Sequence, residues 1–243
     1  MGLLSRWSAH GRAESRRLKL AAQATATPGA EALAAYLTTP PPEPDTDIGD
    51  LPLLAVDMET TGLDPRRDRL LSIGFVALNG LEIDLSTAVH LVIRQEPSAT
   101  GVDQGVGQSA TVHHLTDDAL AAGVPLREAI ERLLMALTGR AMLVHFSDIE
   151  TGFLDAACQR LYGVGATTTC IDTLELHRRL LTGGGDNVLP AGALRLAAAR
   201  QTLGLPRYGA HEALTDALAC AELYLAQVVR LGGEGQMPLK RLV

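Results

Sequence analysis

The stretch that organises this sequence is Leu53-Leu54-Ala55-Val56-Asp57-Met58-Glu59-Thr60-Thr61-Gly62, an apolar run that ends in an acidic cluster. The run 53–56 is typical of a short buried β-strand. Residues two apart on a strand share a face, so Asp57 and Glu59 can point the same way. Because like charges repel unless a positive charge lies between them, two carboxylates on one face predict a bound hard divalent cation.

Two further acidic clusters supply the groups that such a site would need. They are His145 to Glu150 and His211-Glu212-Ala213-Leu214-Thr215-Asp216. Cleaving a phosphodiester with water requires an activated nucleophile, charge relief on the phosphoryl oxygens and help for the leaving alkoxide, and two metal ions about 4 Å apart supply all three. We expect Asp57, Glu59 and Asp216 to hold the ions. We expect His211 to accept a proton from the attacking water, since a neutral imidazole near pH 7 suits that task.

The spacing within the last cluster constrains its geometry. His211 and Asp216 are five positions apart, so on one continuous helix they would face about 140° apart. Both reach one site only if His211 lies on the loop before the helix, and Tyr208-Gly209-Ala210 suits such a loop. The alternative is a histidine at a helix start that bonds the backbone.

The composition indicates one globular domain with an aliphatic core. The chain has 243 residues, 47% of them hydrophobic and 3% aromatic, which is enough to bury a sizeable core. The formal charge of −7 argues against a strong general affinity for nucleic-acid backbone. It does not exclude a nuclease, because bound metal ions place positive charge where the phosphate binds.

The cysteines and the apolar runs bear on the compartment. Cys158, Cys170 and Cys220 form no CxxC pair, and an odd count predicts reduced thiols, one or more of them buried. No apolar run is long enough to span a bilayer, so we expect no membrane partner. The N-terminus lacks a secretory pattern, which makes the cytoplasm the expected location. Its Arg-rich, acid-poor first thirty residues are also similar to an organellar transit peptide.

The chain divides into three predicted parts. Residues 1–50 form an N-terminal helical arm and Pro-rich connector, with helices at Arg12–Ala24 and Glu31–Leu37. Residues 51–230 form the main domain and 231–243 a C-terminal tail. The arm is expected to be a helical arm packed on the domain with a solvated face, or a partly mobile tail, with a docking or nucleic-acid-touching arm as the alternative.

The main domain is predicted to be α/β. Its strands are Leu53–Val56, Leu70–Leu78, Leu81–Ile93, Ala141–Val144 and Thr167–Ile171, with a hairpin turn at Asn79-Gly80. Its helices are Pro125–Leu137, Ser147–Leu161, one that follows the fifth strand through Leu180, Ala191–Leu203 and His211–Val229. Three strands followed by alternating helix and strand predict a mixed five-stranded sheet flanked by helices. In such sheets, sites gather where strand ends meet loops and helix starts.

The motifs resemble those of one family. Asp57 to Gly62 resembles the first motif of the DnaQ-like DEDDh exonucleases, and His211 to Ala217 is similar to their third, His-x-Ala-Leu-x-Asp-Ala. Intermediate matches bring the resemblance to residues 51–230: Asp68–Ile73, His114–Asp117 and Ile171–Leu174. It implies an RNase H-like fold and a 3′–5′ exonuclease that releases nucleoside monophosphates from single-stranded DNA.

The resemblance also implies roles for individual residues. Asp57, Glu59 and Asp216 would bind two Mg²⁺ or Mn²⁺ ions, and His211 would be the general base. Thr60, Thr61 and Leu63 would meet the terminal nucleotide, with Leu63 wedged against a base. The ordinary alternative is that the threonines close the strand and Leu63 plugs a loop.

The second motif departs from the family. Its usual form is His-Asn-x-x-Phe-Asp, and here it reads His145-Phe146-Ser147-Asp148-Ile149-Glu150. Glu150 stands at the aspartate position and is our predicted fourth carboxylate. Asp148 is the rival candidate. Residues two apart on a helix point to different faces, so only one of these two acids is expected to serve the metal site. A third possibility is that neither acid serves, because Ser147 as N-cap and Glu150 at N3 would make a capping box.

Two other functions are compatible with the sequence. One is an RNA-directed, oligoribonuclease-like exonuclease that recognises the 2′-hydroxyl; the other is a non-catalytic domain that binds nucleic acid or a polymerase. Only fourteen residues follow Val229, which favours a stand-alone enzyme over a polymerase-bound subunit. Gln236–Leu239 is faintly similar to a sliding-clamp-binding peptide but lacks its aromatic end, so we expect a solvated tail there.

Overall fold

A computed structural model describes residues 3–95, 117–185, 187–209, 212–232 and 237–243, with the side chains of 3–10 and 117 excepted. The strands are β1 Pro52–Thr60, β2 Leu70–Asn79, β3 Glu82–Val92, β4 Ala141–Val144 and β5 Cys170–Asp172. The helices are α1 Leu3–Thr25, α2 Glu31–Thr38, α3 Asp117–Ala122, α4 Leu126–Leu137, α5 Ser147–Tyr162, α6 Thr173–Thr182, α7 Leu196–Thr202 and α8 Ala213–Gly232. A 3₁₀ turn, Leu239–Arg241, follows.

The five strands form one mixed sheet in the order β3-β2-β1-β4-β5. β1, β2 and β3 pair antiparallel, whereas β1, β4 and β5 run parallel. The predicted mixed five-stranded sheet with flanking helices is therefore confirmed. β1 extends past the predicted Val56 through the acidic cluster, because β2 pairs with it there, with Asp57 opposite Gly74 and Glu59 opposite Ser72.

Alternation along β1 decides where the acidic residues point. Leu54, Val56 and Met58 belong to the core on the first face of the sheet, which α2, α4 and α5 cover. Leu53 and Ala55 belong to the core on the second face, which α6 and α8 cover. Asp57 and Glu59 continue this second alternation at the carboxyl end of the strand. Their side chains are therefore directed to the α8 side of the sheet.

The N-terminal arm packs on the first face. Both predicted helices are present, and Leu33 and Leu37 of α2 are fully buried in the core of that face. The Tyr36 hydroxyl donates to the Thr167 carbonyl at 3.0 Å. The Arg17 guanidinium donates to the Leu37 carbonyl and pairs with Glu14. The expectation of packed helices is thus met, with more apolar burial than a solvated face would give.

Several predicted boundaries shift. β5 is shorter than predicted, starting at Cys170 rather than Thr167. α7 starts at Leu196 rather than Ala191, because residues 191–194 form turns and Gly192 adopts a φ of 81°. The predicted loop Asp103–Gly107, and residues 114–116 of the resemblance, lie outside the described residues. Cys158 and Cys220 are buried and Cys170 is half-buried, all three as free thiols.

The C-terminal segment corrects an expectation. Met237, Leu239 and Leu242 are buried in the core of the second face, and Pro238 forms a β-bridge with Asp47. The expected solvated tail is therefore wrong for residues 237–243. With Met237 and Leu239 buried, these side chains are not presented to a sliding clamp.

None of the helices in the described residues is both long enough and apolar enough to cross a membrane.

Gly74 lets α8 approach the sheet at the acidic cluster. A Cβ on Gly74 would lie 2.1 Å from the Leu214 nitrogen and 2.4 Å from the Ala213 oxygen, both backbone atoms. Backbone cannot give way as a flexible side chain can, so only glycine permits this contact. Since Gly74 is opposite Asp57, the contact sets the first turn of α8, and hence Asp216, beside β1.

Gly74→Ala should therefore destabilise the protein by about 1–3 kcal/mol or more through overpacking, and should weaken binding of Mn²⁺. The control is Gly11→Ala, an exposed α1 position where a Cβ meets nothing within 4 Å. That substitution should stabilise by roughly 0.5–1 kcal/mol, because alanine favours a helix. Thermal unfolding with and without Mn²⁺ measures both. Equal melting temperatures for the two variants would exclude the close contact as the reason for glycine.

Candidate active site

Three carboxylates meet at the end of β1. Asp57 and Glu59 from the strand and Asp216 from the first turn of α8 each offer an oxygen, and these atoms all lie within 4.8 Å of one another. Glu59 is buried, and the other two are half-buried. The three predicted metal-binding residues, from distant parts of the sequence, are thus brought together.

Glu150, in the first turn of α5, lies near these three carboxylates but is not one of the group whose oxygens lie within 4.8 Å of one another. It is only 3% exposed, and its Oε2 has no hydrogen-bond partner. Its charge is close enough to Asp57 to raise the pKa of that carboxyl. Asp148, by contrast, is exposed. Of the two rival acids, the fold therefore places Glu150 and not Asp148 beside the other carboxylates.

Burial and mutual repulsion disfavour the charged forms of these acids. Burial, with repulsion from Asp216, raises the pKa of Glu59 to about 7. Burial, with repulsion from Asp172 and Glu59, raises the pKa of Glu150 to about 8. Burial and then the charges of its neighbours hold the pKa of Asp57 well above its usual range. The cluster is therefore under electrostatic strain that a cation would relieve.

The donor set fits a hard divalent cation. All four groups offer oxygen, the ligand type that Mg²⁺ and Mn²⁺ prefer. The unpartnered Glu150 Oε2 is a buried acceptor in need of a positive partner. No nitrogen or sulfur atom of the described residues belongs to the cluster, which fits these ions better than a zinc site of the Cys or His type.

The start of α5 is held differently from the prediction. Its N-cap residue is Phe146 without a side-chain cap, and Ser147 is the first helical residue, so the predicted capping box is wrong. The Asp172 carboxylate instead accepts from the nitrogens of Phe146 at 3.0 Å and Ser147 at 2.9 Å. It also caps α6 by accepting from the Leu174 nitrogen at 2.9 Å. One side chain thus fixes two helix starts, including the one that carries Glu150.

Sequence reasoning missed this role of Asp172, although a signal was present. An aspartate between a strand and a helix is a preferred N-cap, and Asp172 occupies that place. Its second task, capping α5 across the sheet edge, has no sequence signal because 25 residues separate it from Ser147.

His145, at the end of β4, anchors a loop. Its Nδ1 lies 2.8 Å from the Thr173 hydroxyl oxygen and its Nε2 lies 2.8 Å from the Leu194 carbonyl oxygen. Burial lowers the pKa of the ring, so it is neutral near pH 7. With both nitrogens engaged, His145 ties the turn at Leu194 to the sheet and is not placed to be a metal ligand.

The turn after β1 is rigid and ends in an exposed leucine. The Thr60 hydroxyl donates to the Gly62 carbonyl at 2.6 Å, and Thr61 Oγ1 lies 3.2 Å from the Asp68 carboxylate. A Cβ on Gly62 would lie 2.6 Å from that carboxylate, so a larger residue there would have to displace the Asp68 side chain. Leu63 is 74% exposed. The alternative that Leu63 plugs a loop is therefore wrong.

His211 lies outside the described residues, so its predicted position before α8 stays a prediction. The described segment that leads towards it is held by Arg200, whose buried guanidinium donates to the Pro206 carbonyl at 2.9 Å and the Ala219 carbonyl at 2.6 Å. Arg200 also pairs with Glu222 at 2.8 Å. These contacts join the chain near residue 206 to α8, the helix that carries Asp216.

Comparison with known families assigns the chain. A model of the exonuclease family RNase_T matches residues 54–224, a range that contains all four acids. The chain belongs to this exonuclease family, and the resemblance to the DnaQ-like group is confirmed. It is a nuclease domain of that type.

Curated relatives are much longer proteins. The chain is 26% identical over 181 residues to the PolC-type DNA polymerase III of Thermotoga maritima, covering 74% of this chain and 12% of the relative. It is 24% identical over 187 residues to the PolC-type polymerase III of Staphylococcus epidermidis, covering 77% and 12%. The chain thus spans about an eighth of the length of these relatives.

Solved structures share the fold. Cell-death related nuclease 4 (CRN-4) superposes with a TM-score of 0.60 at 14% identity, covering 76% of this chain and 65% of that one. E. coli exonuclease I in complex with a dT13 oligonucleotide has a TM-score of 0.59 at 15% identity, covering 74% and 41%. The RNase H-like exonuclease fold implied by the motifs is confirmed.

The raised carboxyl pKa values predict a pH dependence of stability. A carboxyl with a raised pKa in the folded state stabilises the fold fully below its unfolded pKa near 4.3, and that stability is lost as pH rises through the folded pKa. For Glu59 and Glu150 the loss builds up above that unfolded pKa and is complete near pH 7 and pH 8, their folded pKa values. The melting temperature of EDTA-treated protein should therefore fall from pH 6.5 to about 8 and level off above it, and Mg²⁺ or Mn²⁺ should restore it.

The window is chosen above pH 6.5 because burial lowers the pKa of His145 and His177. Their contribution to stability is lost at lower pH, below their unfolded pKa near 6.5. Asp57→Asn is the matched variant: with one charge fewer, it should melt higher than wild type at pH 8 without metal and gain less from metal. A metal-free melting temperature that stays flat or rises across this window would contradict the electrostatic account.

Proposed function

We propose that the chain is a metal-dependent 3′–5′ exonuclease that removes nucleoside 5′-monophosphates from the 3′ end of single-stranded DNA. The observation that carries the proposal is the convergence of Asp57, Glu59 and Asp216, with the buried Glu150 nearby, within an exonuclease-family fold. Four buried or half-buried carboxylates are costly to assemble without a cationic partner. Their position at strand and helix ends is where such folds act on ligands.

Asp57, Glu59, Asp216 and Glu150 would hold two Mg²⁺ or Mn²⁺ ions. Bound there, two such ions supply an acidified water nucleophile and neutralise charge on the phosphoryl oxygens. The raised pKa values of Glu59 and Glu150 mean that metal binding releases protons from these carboxyls near neutral pH.

The remaining roles rest on the motif similarity. His211 would take the proton of the attacking water. Thr60 and Thr61, held in the rigid turn after β1, would position the terminal nucleotide. The exposed Leu63 would lie against its base, since an apolar side chain that is 74% exposed beside the acids is free to contact substrate.

Similarities favour single-stranded DNA as the substrate. E. coli exonuclease I, a fold neighbour, has been solved with a dT13 oligonucleotide and, in a zinc-bound form, with ssDNA. The curated relatives are DNA polymerases, which favours DNA over RNA and leaves association with a polymerase as an expectation. No contact of the described residues singles out a 2′-hydroxyl.

Purified protein with Mg²⁺ or Mn²⁺ should shorten a 5′-labelled single-stranded DNA oligonucleotide one residue at a time, and EDTA should abolish the reaction. A 3′-labelled strand should release labelled mononucleotide first, which reports the direction. A matched RNA oligonucleotide and a duplex, digested in parallel, define the preference. If a folded sample shortens neither DNA nor RNA in the presence of either metal, the proposal fails.

Glu150→Gln should lower the turnover number by more than about 100-fold, because even outer-shell partners of a metal site cost roughly 10–100-fold. Asp148→Asn, two residues away and exposed, is the matched control and should stay within about threefold of wild type. Steady-state kinetics on the single-stranded DNA substrate give both values. The opposite ranking of the two variants would show that Asp148 serves the second motif.

A further inference from the structure

Phe146 breaks two rules of local structure at once. Its ring is 44% exposed to solvent. Its backbone has φ 88° and ψ 75°, and it is the one non-glycine residue with positive φ in the described parts of the chain. For a bulky residue this conformation is a true outlier. Such strain, when it is maintained, gathers at functional sites.

The strained backbone is held firmly from both sides. The Asp172 carboxylate accepts from the nitrogens of Phe146 and Ser147 at 3.0 and 2.9 Å, and the Phe146 carbonyl accepts from the Ile149 nitrogen at 3.2 Å. The conformation therefore follows from the clamp. It leaves the ring directed towards solvent at the start of the helix that carries Glu150.

Packing does not explain a phenylalanine at this position. The chain has only three phenylalanines, and the other two, Phe75 and Phe153, are buried in the core. Glycine or asparagine would adopt the left-handed backbone with less strain, and asparagine stands here in the related second motif. Phenylalanine in place of asparagine therefore adds one feature at this position, a solvent-exposed aromatic ring.

Phe146 lies within reach of the acidic cluster. β1 and β4 are parallel neighbours with Ala55 beside Leu143, a register that brings Asp57 level with the residue before Phe146. Adjacent strands are about 5 Å apart, so the two backbones are within roughly 10 Å of each other. Asp172, which binds the Phe146 nitrogen, also raises the pKa of Glu150 by its charge.

The ring borders a cleft of suitable size. The cleft has a volume of about 420 Å³, and its charged lining is mixed: Arg178 and Arg179 of α6 with the acids Asp148, Asp172 and Glu175. Arg178 pairs with Glu175 at 3.2 Å, and Arg179 donates to the Arg241 carbonyl at 2.9 Å. Because these cations are already engaged, the cleft offers an aromatic face more than a phosphate site.

We propose that Phe146 is a stacking platform for a nucleobase of the single-stranded substrate. The base belongs to a nucleotide on the 5′ side of the terminal one, since the turn at residues 60–63 is assigned to the terminal nucleotide. This inference rests on the proposed nuclease function and adds to it a binding position outside the metal cluster. An aromatic face accepts any base, so the contact contributes affinity without sequence preference.

The test removes the ring without disturbing the backbone. Phe146→Gly and Phe146→Asn both suit the left-handed conformation, and Phe146→Tyr keeps an aromatic face. Each protein is assayed for removal of the 3′-terminal nucleotide, with Mn²⁺, from oligonucleotides that carry one abasic residue at successive positions. Melting temperatures within a few degrees of wild type, and a retained rise with Mn²⁺, show that the fold and the metal cluster persist.

The glycine and asparagine variants should lose roughly fivefold to 100-fold in apparent affinity for the intact oligonucleotide. The loss should appear in KM more than in kcat, because stacking binds substrate and transition state alike. It should not change with salt concentration, since no charge is removed. For wild type and Phe146→Tyr, an abasic residue at one particular position should lower the apparent affinity by a similar factor. At that same position the abasic residue should not lower the affinity of the glycine and asparagine variants any further, because their ring is already absent.

Two outcomes overturn the platform. One is a glycine or asparagine variant with the KM of wild type; the other is a loss that is the same at every abasic position. If wild type cuts no oligonucleotide, the proposed function fails separately. The platform is then tested by fluorescence anisotropy of the same abasic series in Ca²⁺, where equal affinities of wild type and Phe146→Gly would overturn it.

Discussion

Repulsion among the carboxylates at the end of β1 is the constraint on which the rest of the site depends. Burial and mutual repulsion disfavour the ionised forms of the four acids, Asp57, Glu59, Glu150 and Asp216. Without a cation, their ionised side chains therefore repel one another. The surrounding fold has to keep them together in the absence of metal. Its hydrophobic cores, on both faces of the sheet, supply the stability that offsets this local cost.

Two residues, Gly74 and Asp172, position the helices that carry Asp216 and Glu150. Gly74 allows the first turn of α8 to lie against β2, which places Asp216 beside the end of β1. Asp172 binds the starts of α5 and α6 together, which fixes the helix that carries Glu150. Neither residue needs to touch metal or substrate. Both act on the positions of those that would, in the way that supporting groups orient ligands in metal sites.

The sites where local rules fail are also the sites with chemistry. Glu150 is a buried carboxylate with an unpartnered oxygen, and Phe146 is an exposed aromatic residue in a left-handed conformation. Both features lower the stability of the fold, and natural proteins tend to retain such features at functional sites. Both lie in the second motif, the segment that departs from the related exonucleases. This departure places a longer acid beside the acidic cluster and an aromatic ring at its margin.

The sequence by itself determined the elements and the acids on β1. Its apolar runs predicted the sheet strands and its 3.6-residue periodicity predicted helices, because both patterns are local. The geometry of a strand predicted that Asp57 and Glu59 share a face, and the order of the motifs predicted the exonuclease family. Tertiary structure alone decided that Glu150 rather than Asp148 is buried near them, that Asp172 replaces the expected capping box, and that Met237, Leu239 and Leu242 are buried. These depend on contacts between distant segments, and no local pattern encodes which side chains the packing of helices on a sheet will bring within a few ångströms of each other.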